Sequence, residues 1–121
     1  MRRLNSFDRG TALTPQTRRH AVEALRGFAS AENSLAWEIA SDESASDEDL
    51  AFAVVLARDA SIATHGLDFA VLDTYGLALS KSRRDDAAGV VGQRVLDVCD
   101  ALAQTCSQER LRAEQFVMFG E

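Results

Sequence analysis

The run Leu50-Ala51-Phe52-Ala53-Val54-Val55-Leu56-Ala57 decides the fold. Eight consecutive apolar residues have no periodicity of their own, so the run reads either as a buried strand or as a helix apolar on nearly every face. Its alanines, and the lack of any breaker before Gly66, select a helix from Leu50 to Ala63. A helix that is apolar all round belongs at the centre of a core.

On the C-terminal side, Gly66 is a helix stop and Asp68 a cap for a second apolar helix carrying Phe69, Ala70, Val71, Leu72, Tyr75, Leu77 and Leu79. Two such helices joined at His65-Gly66 predict a central antiparallel hairpin. Beyond the polar break Ser80-Lys81-Ser82-Arg83-Arg84-Asp85-Asp86, the residues Val91, Val95, Val98, Leu102 and Cys106 recur at steps of three and four. That spacing predicts a long final helix with a packing seam. Ser107 either lies within it or caps a last short helix, and the chain ends on the apolar Phe116-Val117-Met118-Phe119.

On the N-terminal side, Ser41 to Asp49 is polar and turn-forming, and Ser46 followed by acids suits a helix start at the positive end of the dipole. Before it, Leu35, Ala36, Ile39 and Ala40 share one face with Trp37 beside them, and Ser30 or Asn33 is available as a cap. Thr14-Pro15 opens a first helix to about Ala29, with Val22, Leu25, Phe28 and Ala29 on one face. Gly27 leaves open whether these two helices are continuous. The expectation is an all-α, single-domain bundle of five or six helices over residues 14–121, preceded by a basic arm, residues 1–13.

With 121 residues, 46% of them apolar, the chain supports one hydrophobic core. No stretch reaches the roughly 18 to 20 apolar residues needed to span a bilayer, and a cytoplasmic location is the default expectation. If Cys99 and Cys106 shared one helix, their Cα atoms would lie about 10.5 Å apart, beyond disulfide reach. A bridge would require the helix to break between them, so the sequence reads as two reduced thiols used as small core hydrophobes.

Motifs for chemistry are missing. His20 and His65 have no zinc-ligand spacing, and no metal site is expected. A calcium loop from Asp42 fails, because Asp47 stands where Gly is needed and Ala53 where the last Glu is needed. There is no phosphate-cradling glycine motif, no nucleophile elbow, and Cys99 sits in an apolar stripe that would quench it. No cofactor and no catalytic residue are predicted, and the chain reads as a non-enzyme.

Charge placement carries what functional signal there is. Residues 1–30 hold six Arg against two acids, a net of +4. Residues 31–79 hold Arg58 alone against ten acids, a net of −9, and residues 80–121 come to −1. An acidic segment beside an aromatic residue is the pattern of a charge-rimmed anchor, so Trp37, Asp42, Glu43, Asp47, Glu48 and Asp49 are the expected contacts for a basic protein partner. This points to a small inhibitor, immunity or adaptor module. The alternative is a DNA-binding regulator using Arg2, Arg3, Arg9, Arg18 and Arg19 to neutralise phosphates. Nucleic acid is disfavoured, because a recognition helix after Gly66 would offer Asp68 and Asp73 and no base. The stripe Val91, Val95, Val98 and Leu102 is also a candidate homodimer seam.

Overall fold

The computed structural model describes residues 14–101 and 106–120, and all regular structure among them is helical. Six helices follow in order: α1 (Pro15–Leu25), α2 (Ala29–Ala40), α3 (Asp47–Ala63), α4 (Phe69–Lys81), α5 (Asp85–Ala101) and α6 (Ser107–Gly120). No described helix is long and apolar enough to cross a membrane. The basic arm expected over residues 1–13 lies outside the described residues.

Local chemistry accounts for most of the boundaries. The Thr14 hydroxyl accepts from the Thr17 N–H at 3.1 Å, and Pro15 takes the first helical position, where no donor is lost. Ser46 accepts from the Asp49 N–H at 3.1 Å, and Asp68 accepts from the Ala70 and Val71 N–H groups. Between α1 and α2 the chain turns through Gly27 at φ +87°, so the first two helices are separate and the first ends at Leu25 rather than Ala29. Phe28 precedes α2 with no side-chain cap, so neither Ser30 nor Asn33 fills that role.

Both ends of the central hairpin close in the same way. After α3, the Gly66 N–H bonds the Ser61 carbonyl and the His65 N–H bonds that of Ile62, with His65 at φ 59°. After α4, the Arg84 N–H bonds the Leu79 carbonyl and the Arg83 N–H bonds that of Ser80, with Arg83 at φ 62°. These are paired 6→1 and 5→2 closures whose left-handed position is usually glycine. Here a histidine and an arginine occupy it.

Five of the eight residues in the run that decides the fold are buried, Phe52, Ala53, Val54, Leu56 and Ala57, in one cluster with Ala36, Ile39 and Ala40 of α2 and Ala78 and Leu79 of α4, whereas Leu50 and Val55 are half-buried and Ala51 is exposed. A second cluster joins Leu72 of α4, Val95, Val98 and Cys99 of α5, Cys106, and Ala113 of α6. Helix α4 contributes to both, and is therefore the shared wall of the bundle.

Two expectations about the C-terminal third are corrected. The seam does not run through one long helix, because α5 ends at Ala101 and α6 starts at Ser107. Val95 and Val98 are buried within the chain, where the antiparallel α6 packs on α5, and Val91 is half-buried. Leu102 lies outside the described residues. The break also brings the Cα atoms of Cys99 and Cys106 to 6.5 Å, and their sulfurs are bonded. The thiols are therefore not the reduced core residues that a continuous helix would make them.

Candidate functional site

The acidic segment linking α2 to α3 divides into outward and inward parts. Asp42 folds back on its own turn, its carboxylate accepting from the Ser44 N–H at 2.9 Å and from the Ser44 hydroxyl at 2.7 Å. Glu43, Asp47 and Glu48 are exposed, and their side chains enter no ion pair among the described residues. Asp47 and Glu48 also sit in the first turn of α3, where negative charge is favoured by the free N–H groups.

Asp49 behaves differently. It is 5% exposed and takes a hydrogen bond from Arg18 Nη2 of α1 at 2.9 Å. It therefore leaves the surface expected to face a basic partner, and Arg18 is withdrawn from the cations expected to face phosphate. One ion pair consumes a residue from each hypothesis. Arg19 is exposed, whereas Arg2, Arg3 and Arg9 lie outside the described residues.

Trp37, at the end of α2, is 37% exposed, with the Arg112 guanidinium 5.3 Å from its ring centroid. Arg112 in turn holds Asp73 of α4 in a two-pronged pair, Nε to Oδ1 at 2.8 Å and Nη2 to Oδ2 at 2.5 Å. The Asp73 hydrogen bond raises the Arg112 pKa above its ordinary value, against the opposing effect of burial. Trp37 thus stacks on one member of an ion pair while about a third of it stays exposed. Asp73 is buried, and so are its neighbours Val71 and Leu72.

Two features escaped the sequence reading. Glu32 is fully buried in the first turn of α2, and neither carboxylate oxygen has a hydrogen-bond partner among the described residues. Desolvation, reinforced by the nearby Asp59 carboxylate and opposed by Arg26, raises its pKa from 4.5 to about 6. A signal existed, since Glu32 shares the 3.6-residue face of Ala36, Ile39 and Ala40. The second is a groove of about 700 Å³ between α3 and the α4–α5 turn, edged by Arg58, Lys81, Arg83 and Arg84. Only folding assembles it, because Arg58 lies more than twenty residues from the other three.

No group of three or more His, Cys, Asp or Glu side chains among the described residues could hold a metal ion. Comparison of the chain with family models, with curated proteins and with solved structures finds no match.

Proposed function

We propose that this chain is a non-enzymatic binding module, of the inhibitor, immunity or adaptor kind, that presents Glu43, Asp47 and Glu48 to a basic surface of a partner protein, with Trp37 at the edge of that contact. One observation carries the reading: three exposed carboxylates within six residues enter no ion pair among the described residues. Unpaired charge of one sign accelerates encounter with the opposite sign and fixes orientation more than it adds to final affinity. The DNA-binding alternative is weaker, because Arg18 is already bound to Asp49. A cytoplasmic setting, the default for this composition, fits the Cys99–Cys106 bond poorly, since reducing compartments keep thiols free. The reading therefore carries no compartment.

The test is a variant combining Glu43→Lys, Asp47→Asn and Glu48→Lys. Asp49 is left alone so that its pair with Arg18 survives. Loss of favourable dipole contacts at positions 47 and 48 costs about 0.3 to 1 kcal/mol each, so the chain still folds. With a partner captured from the native host on the tagged chain, the association rate is expected to fall at least about tenfold at low salt while the dissociation rate changes little. An association rate indifferent to both the substitutions and added salt would make the segment a solvated loop.

A further inference from the structure

The groove between α3 and the α4–α5 turn has two unlike walls. Leu50, Ala51, Val54 and Val55 line it from successive turns of α3, and Lys81, Ser82, Arg83 and Arg84 line it from the turn, with Arg58 and Asp47 completing the rim. Four cations against one acid give a net of +3, in a chain of net charge −6. None of the four cationic side chains makes a hydrogen bond or ion pair among the described residues. Asp85 and Asp86, which share the adjoining depression with Arg83 and Arg84, form no ion pair with them.

Arg83 sharpens the point. Its φ of 62° is the left-handed position of the helix closure, where glycine fits without steric cost. The chain instead carries strain there and gains a cation at the mouth of the groove, and strained backbone of this kind collects at binding sites. Cations without counter-charges beside half-buried apolar residues leave two things unsatisfied, unneutralised charge and wetted apolar surface. A single ligand relieves both if it has an anionic head and an apolar arm.

We propose that this groove binds an amphipathic anion, a carboxylate or phosphate monoester with one apolar arm, its head against Lys81, Arg83 and Arg84 and its arm along Leu50, Ala51, Val54 and Val55. The volume of about 700 Å³ is that of a small-molecule site. From Leu50 to Arg58 the α3 wall runs about 12 Å at 1.5 Å per residue, the length of an extended chain of about ten carbons. Arg58 lines the far end of the wall, where its aliphatic stem adds apolar surface for the arm.

Titration calorimetry with monomeric decyl phosphate tests this on the full chain. Saturable binding of one ligand per chain is expected, with inorganic phosphate binding at least 100-fold more weakly. Arg83→Gly removes the cation while suiting the left-handed turn, so it is expected to melt no lower than the wild type and to bind at least about tenfold more weakly. Ala51→Phe, which fills the apolar wall from an exposed position, is expected to weaken binding similarly, whereas Arg19→Glu on α1 leaves it unchanged. The proposal is overturned if decyl phosphate does not saturate, if inorganic phosphate binds as tightly, or if Arg83→Gly and Ala51→Phe both keep full affinity. Binding to anionic lipid vesicles without binding to monomeric decyl phosphate also overturns it, and would identify a membrane-facing surface instead.

Discussion

At the scale of single residues, the buried Glu32 carboxyl has the clearest measurable consequence. Its folded pKa of about 6 stands above the ordinary 4.5, so the folded state holds the proton more tightly than the unfolded chain does. Stability from the neutral carboxyl is fully present below about pH 4.5 and is lost as pH rises through 6. The loss amounts to about 2 kcal/mol. Glutamine is neutral throughout, so Glu32→Gln should match the wild type near pH 4 and exceed it by about 2 kcal/mol above pH 7, as read by urea unfolding at both values. A difference that does not vary with pH would mean that Glu32 is solvated or paired in solution. Asp59 adds to the effect and Arg26 opposes it, so removing the Arg26 charge should enlarge the gain.

At the scale of elements, the close approach of α5 and α6 rests on Gly92. A Cβ there would lie 2.8 Å from the Ala113 carbonyl oxygen and 3.0 Å from the Phe116 Cβ. Alanine favours a helix over glycine by about 1 kcal/mol, but backbone cannot swing aside as a side chain can. Overpacking of this kind costs about 1 to 3 kcal/mol, so Gly92→Ala is expected to lower the unfolding free energy by about 1 kcal/mol net. Equal or greater stability in a denaturant titration would show that the two helices can part without cost. Gly76→Ala is the milder neighbour, because its Cβ would meet the edge of the Phe116 ring rather than main chain.

At the scale of the whole molecule, Arg112 ties three helices together, reaching Asp73 of α4 and the Trp37 ring of α2 from its place on α6. Removing one partner of a buried pair costs about 3 to 5 kcal/mol. Arg112 is 30% exposed on its side chain, so water can partly replace it, and Arg112→Met should cost about 2 kcal/mol. Adding Asp73→Asn should recover part of that loss, since the orphaned charge is then gone, and a double-mutant cycle reads the coupling directly. If Arg112→Met leaves the unfolding midpoint unchanged, the pair is a surface contact that water replaces freely.

The sequence by itself determined the helix class and the starts of α1, α3 and α4. Thr14-Pro15, Ser46 and Asp68 are local signals whose hydrogen-bonding partners lie two or three residues away, so they form wherever the chain is. The apolar run from Leu50 is also self-sufficient, because leaving Phe52, Val54 and Leu56 together in water would cost several kcal/mol, about 1.5 to 3 for each side chain. Tertiary structure decided everything that depends on which helix lies beside which. Arg18 and Asp49 read as surface charges until α1 crosses the start of α3 and pairs them. Cys99 and Cys106 read as separate residues of one helix until the chain reverses between α5 and α6. The same reversal buries Val95 and Val98 of α5 within the chain. Arg58 stays a lone base in an acidic stretch until the hairpin sets it on the same groove as Lys81, Arg83 and Arg84. Electrostatic and packing partners far apart along the chain have no periodicity to betray them, and their energy exists only once the fold has set the distance.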